Sequence, residues 1–182
     1  MKRRMIVNSF SLSLLLVVFA SVVPAIHGQS KDSAHVAGLL SEAKTEAVQL
    51  KFDANELKSF TRSQLSWKSH ASKVTEIKEH VNKSGELLTQ MMNAKSEGSP
   101  WQQQAIERIQ PLLKDLADTV ESTIDNLNKH PEHLMTSPYK AYAESNAALA
   151  ENLVQVISDY VEYGKAKNKS EELADRLEVP GN

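Results

Sequence analysis

Apolar residues recur at alternating intervals of three and four through most of the chain after residue 33, and strand-like alternation is missing. This spacing places the apolar side chains on one face of an α-helix. Proline, which interrupts helices, is absent between Pro24 and Pro100. The pattern therefore predicts an all-α chain of long helices, each burying one stripe.

Four segments carry the pattern, and short stretches of turn and capping residues separate them. The predicted helices span about residues 33–61, 66–94, 100–129 and 138–166, with a short C-terminal helical extension at 170–178. Helices of this length are about 45 Å long, and short links between them force antiparallel neighbours. We therefore predict one domain, residues 29–182, folded as an up-down-up-down antiparallel four-helix bundle. A stripe period near 3.5 favours a gentle left-handed supercoil of the coiled-coil type.

The start of the third helix carries the clearest boundary signal. In "SPWQ", Ser99 is the expected N-cap, Pro100 takes the first helical position and Gln102 completes a capping box. Pro111 lies inside this helix, removes one backbone hydrogen bond and predicts a kink near Glu107.

The predicted buried stripes contain a few polar residues. His70, Ser84 and Asn146 occupy stripe positions, where polar groups can fix the register of a bundle. His80 lies beside its stripe and is expected to face solvent. The predicted stripe of the fourth helix consists of Tyr139, Tyr142, Asn146, Leu149, Leu153, Val156, Tyr160 and Tyr163.

The first residues have the three-part layout of a secretory signal peptide. Cations at 2–4 precede an apolar run at 10–23, and small residues precede a cut after Ala25 or Gly28. The apolar run, about 14 residues, is shorter than the roughly 20 needed to span a bilayer. Residues 1–28 therefore predict export to the periplasm or secretion. If the segment is not cleaved, it would instead serve as a membrane contact.

Composition narrows the classes of function. The chain has a formal net charge of −2 and no cysteine, and the predicted signal holds cations but no acids. The exported part is therefore acidic, which disfavours nucleic acid as a partner. The chain also lacks a nucleophile elbow, a phosphate-binding loop and an HExxH zinc motif. We expect no catalytic residues, no enzyme activity and no cofactor.

The stretch "NKHPEHLM", residues 128–135, gathers side chains that bind metals. In the predicted bundle it shares one end with the start of the second helix, so His70, His130, His133 and Met135 form a candidate metal site. Imidazole suits zinc, copper, nickel or iron, and a thioether favours copper. Haem held by a helix histidine and Met135 is a variant of this hypothesis. The alternative is a polar turn between helices, with His70 a packed core residue.

Two functional hypotheses follow. The first is an exported, non-enzymatic helical bundle of the bacterial envelope that binds a protein or a small ligand, or associates with itself. The second is a metal- or haem-binding bundle that uses the histidines at one end.

Overall fold

The computed structural model describes residues 31–178, which contain helices and no strand. The helices are α1 (Ala34–Phe60), α2 (Trp67–Asn93), α3 (Pro100–Lys129) and α4 (Ser137–Leu177), and a 3₁₀ turn, Lys95–Glu97, precedes α3. The all-α prediction is confirmed, and the boundaries of the first three helices agree with it closely. The predicted signal peptide, with its cleavage after Ala25 or Gly28, lies outside the described residues.

The helices form an up-down-up-down bundle in which α1 and α3 each pack on both α2 and α4. Lys44 of α1 pairs with Glu162 of α4, and Lys51 pairs with Glu151, so the two helices run in opposite directions. The indole N–H of Trp67, at the start of α2, donates to the carbonyl of Leu127, at the end of α3, over 3.1 Å.

The start of α3 is fixed by the residues that the sequence indicated. The backbone N–H of Ser99 donates to Oε1 of Gln102 over 3.0 Å, and Pro100 takes the first helical position. Gln102 is fully buried and also bonds both backbone groups of Ser33 at 2.8 Å, which ties α3 to the start of α1. The helix then runs unbroken through Pro111.

Two predictions about α4 were wrong. The helix has 41 residues and continues through Gly164 to Leu177, instead of ending near 166 before a separate extension. Its buried face is also rotated by about one residue: Ala143, Ala150 and Gly164 are buried where the prediction had Tyr142, Leu149 and Tyr163, and Tyr163 is 53% exposed. The buried residues of α4 are Tyr139, Ala143, Asn146, Ala147, Ala150, Leu153, Ile157, Val161 and Gly164.

The polar residues predicted for the buried stripes are in the core. His70, Ser84 and Asn146 are all buried. The side-chain amide of Asn146 donates to Oγ1 of Thr123 over 2.7 Å, and that hydroxyl donates to the carbonyl of Thr119. These bonds fix the register of α4 against α3, because a hydrogen-bonded buried pair cannot slip without leaving polar groups unpaired.

Candidate functional site

The link between α3 and α4, residues 130–136, is a short turn that we call the histidine turn. The N–H of His133 donates to the carbonyl of His130 over 3.0 Å, and both the N–H and the hydroxyl of Thr136 donate to the carbonyl of His133. Leu134 is buried at 8% exposure and anchors the turn in the core. The backbone is therefore held at both histidines while their side chains are exposed.

Three side chains of the histidine turn come together. Ligand atoms of His130, Glu132 and His133 all lie within 4.8 Å of one another. The two imidazole rings are nearly parallel, with an interplanar angle of 13° and centroids 5.7 Å apart. Nε2 of His133 is 3.5 Å from Oε1 of Glu132. Glu132 belongs to the stretch of metal-binding side chains noted in the sequence, but it was not among the four predicted ligands.

His70, the third histidine of the predicted metal site, lies apart from this group. Its ring is fully buried, makes edge contacts with Phe60 and Tyr139, and shares a 3.0 Å hydrogen bond between Nδ1 and the Tyr139 hydroxyl. Burial lowers the pKa of His70 and raises that of Tyr139, so both groups are neutral at neutral pH. His70 is therefore placed as a packed core residue, the alternative that the sequence had left open.

Met135, the fourth predicted ligand, is 54% exposed. It borders a shallow depression of about 360 Å³ that Gln64, Leu65 and Glu132 also line. The thioether is therefore on the surface next to the histidine turn and accessible to solvent.

A groove of about 730 Å³ lies between α2 and α3, and we call it the α2–α3 groove. Its lining is mainly apolar, with two carboxamides and a single charged group. The lining residues are Val81, Asn82, Gly85, Leu88, Gln110, Pro111, Leu113, Lys114 and Ala117.

The groove forms where small residues face each other on the two helices. Gly85 of α2 has no side chain, and an added Cβ there would meet no atom within 4 Å. Ala117 of α3 carries only a methyl group. Leu88 is half-buried because it borders this opening. The only sequence signal for the groove is the glycine inside a helix, Gly85.

A charged cluster joins α1 to α2 and corrects the prediction that His80 faces solvent. The Nζ of Lys73 lies 3.0 Å from Asp53 and 2.7 Å from Glu56 and also pairs with Glu76. The two ring nitrogens of His80 lie 2.5 Å from Glu46 and 3.1 Å from Asp53.

Lys73 is the centre of this cluster. Burial alone would lower the pKa of Lys73, but the hydrogen bonds that its ammonium donates to Glu56, Glu76 and Asp53 outweigh it and raise the pKa above its usual value. Asp53 is only 8% exposed and lies between Lys73 and His80. Since the charges compensate one another, the cluster is an interhelical link rather than a reactive site.

At the end of the bundle opposite the histidine turn, Trp101 fills the space between helices. Its indole N–H donates to Oδ1 of Asp32 over 2.8 Å, and its ring packs edge-to-face on Tyr163. Burial would raise the pKa of Asp32, but hydrogen bonds from Ser99, Trp101 and Lys167 outweigh it and lower the pKa. This carboxylate therefore stays ionised.

Within residues 31–178, no helix has an apolar stretch long enough to cross a membrane. No family model, curated protein or solved structure matches this chain.

Proposed function

We propose that this chain is a non-enzymatic binding module that holds a small amphipathic ligand in the α2–α3 groove. The observation that carries the proposal is the size and lining of the groove. A volume of about 730 Å³ lies within the range of roughly 300–1,000 Å³ usual for ligand sites, which are mostly apolar with a few polar groups.

The lining favours a ligand with an apolar body and a carboxylate. Val81, Leu88 and Leu113 offer apolar contact, and Asn82 and Gln110 offer amide donors. Lys114 is the only charged residue of the lining, and its side chain is 72% exposed at the rim. If a negatively charged head group binds Lys114, the apolar chain of the ligand can lie along the apolar part of the groove.

We further propose that the protein binds its ligand after export, in the bacterial envelope or outside the cell. Support comes from residues 1–28, whose cationic start, short apolar run and small residues before the cut are typical of a signal peptide. Mass spectrometry of the protein recovered from periplasm and medium tests this, because cleavage after Ala25 or Gly28 gives two distinct masses. Finding only the uncleaved chain, retained in the cytoplasm, would refute it.

Titration with dodecanoate, followed by calorimetry and by amide chemical shifts, tests the groove. We expect one site, with the largest shifts at α2 and α3 residues around Gly85 and Ala117. Gly85→Leu places a side chain in the opening and should weaken binding by about tenfold or more, equivalent to about 1.4 kcal/mol. Dodecanol should bind more weakly than dodecanoate, and Lys114→Gln should reduce that difference.

Gly38→Leu is the matched control for Gly85→Leu. Gly38 is a helical glycine at which an added Cβ also meets no atom within 4 Å, but it lies in α1, outside the groove. Both substitutions therefore add the same side chain to a helix, and only one occupies the groove. Equal affinities of the two variants, or the absence of any dodecanoate binding, would overturn the proposal.

A further inference from the structure

We infer that the histidine turn is a binding site for a divalent transition-metal ion, with His130, Glu132 and His133 as its protein ligands. This inference is independent of the α2–α3 groove and differs from the set predicted from the sequence. Glu132 joins the site, while His70 is removed by its place in the core and Met135 lies beside the site without being required. Two imidazoles and one carboxylate, with the remaining positions open to water, form a common ligand set for such ions.

The backbone of the turn prepares the site. His130 is the C-cap of α3, where its N–H still donates to the carbonyl of Asn126 over 2.9 Å, and Pro131 restricts the backbone of His130 before it. The carbonyl of His133 accepts bonds from Thr136 at 2.7 and 3.1 Å. Because these contacts fix the backbone around both histidines, metal binding has to order only side chains.

The ligand atoms are close enough for modest side-chain rotation to complete the site. Zinc–nitrogen bonds of about 2.0–2.1 Å in a tetrahedron place ligand atoms roughly 3.4 Å apart. The separations here reach no more than 4.8 Å, and Nε2 of His133 is already 3.5 Å from Oε1 of Glu132. The side chains of Glu132 and His133 are more than half exposed and have room to rotate.

The ligand chemistry determines which ions fit. Nitrogen ligands favour copper and zinc over calcium and magnesium, which take mainly oxygen ligands. Copper(II) should bind more tightly than zinc(II), following the general order for divalent ions. A depression of about 250 Å³ lined by Asn126, His130, His133 and Pro138 adjoins the histidines and leaves space for water or an additional ligand.

Calorimetric titration of the untagged full chain with copper(II), zinc(II) and calcium(II) salts tests the inference. We expect one equivalent of copper or zinc to bind and calcium not to bind. The double variant His130→Ala, His133→Ala should abolish binding, and Glu132→Gln should raise Kd by about tenfold. Helicity should be unchanged in both, since these side chains are exposed.

His35→Ala is the matched control for the loss of an exposed histidine. His35 is 61% exposed and lies 3.2 Å from Glu97, so it offers a histidine–carboxylate pair outside the histidine turn. Line broadening by copper(II) of the His130 and His133 ring resonances, with His35 unaffected, would support the site. Binding that survives the double variant, or no stoichiometric binding of copper or zinc, would overturn it.

Discussion

Replacing Gly164 by alanine tests how tightly Trp101 closes one end of the bundle. An added Cβ would lie 2.8 Å from Cη2 and 3.1 Å from Cζ2 of Trp101. Ordinary carbon–carbon contacts are about 3.5–4.0 Å, so the methyl group would be roughly 0.7–1.2 Å too close to Cη2. The ring cannot move away freely, because its N–H is bonded to Asp32 and its face packs on Tyr163.

Two opposing effects set the magnitude. Alanine stabilises a helix interior by about 1 kcal/mol relative to glycine. Overpacking a well-filled site costs about 1–3 kcal/mol. Gly85→Ala provides the reference for the first effect, since the new Cβ there meets no atom within 4 Å. The propensity effect cancels between the two variants, so Gly164→Ala should be less stable than Gly85→Ala by about 1–3 kcal/mol.

Urea unfolding at neutral pH, followed by far-ultraviolet circular dichroism, measures this difference. Gly38→Ala serves as a second reference, because its Cβ position is also open. We expect Gly38→Ala and Gly85→Ala to raise the free energy of unfolding and Gly164→Ala to fall below both. If Gly164→Ala gains as much stability as Gly85→Ala, the packing of Trp101 against α4 is not as close as described.

Two further substitutions examine the core and the charged cluster. Lys73→Met should lower the free energy of unfolding by about 1–3 kcal/mol, because it leaves Asp53 and its acidic neighbours short of a cation. The control is Lys83→Met, which removes a lysine from an exposed pair and should change the free energy of unfolding by less than about 0.5 kcal/mol. Equal urea midpoints for the two variants would contradict this prediction. Burial lowers the pKa of His70 from its usual value of 6.5. The contribution of neutral His70 to the free energy of unfolding is therefore complete above pH 6.5 and is lost as the pH falls through the lower folded-state pKa. On acidification, the free energy of unfolding of the wild type should fall relative to that of His70→Gln by at most about 1.4 kcal/mol per pH unit. If plots of the free energy of unfolding against pH are parallel for the two proteins, the prediction is refuted.

The sequence predicted the buried face of a helix correctly where the large apolar residues all lie on one side of that helix. Every residue of the α1 stripe that the spacing indicates is buried, because the large residues Leu40, Leu50 and Leu57 set the phase unambiguously. In α4 the spacing of the tyrosines indicates one buried face and the spacing of the alanines indicates another. Ala54 of α1 and Ala150 of α4 are both fully buried and lie at about the same height, given the Lys44–Glu162 and Lys51–Glu151 pairs. Small side chains allow two helices to approach closely, and large residues then move to the sides.

The candidate sites were less accessible to sequence reasoning. The spacing of His130 and His133 was visible, but the position of Glu132 beside them depends on the turn that Thr136 and Leu134 fix. The α2–α3 groove forms because Gly85 has no side chain and Ala117 has only a methyl group. A single glycine inside a helix does not indicate which residue of the neighbouring helix faces it. The charged partners of Asp53 in α1 come from α2, and the spacing of residues within α1 does not indicate them.

The pairing of α1 with α4 determines which end of the bundle would lie nearest to a surface to which the chain is tethered. Oδ2 of Asp32, just before α1, lies 3.2 Å from Nζ of Lys167 near the end of α4. The described chain therefore enters the bundle, and α4 leaves it, at the Trp101 end. An α1 of 27 residues separates that end from the histidine turn by about 40 Å. A tether at either terminus would direct the histidine turn outward, toward the surroundings.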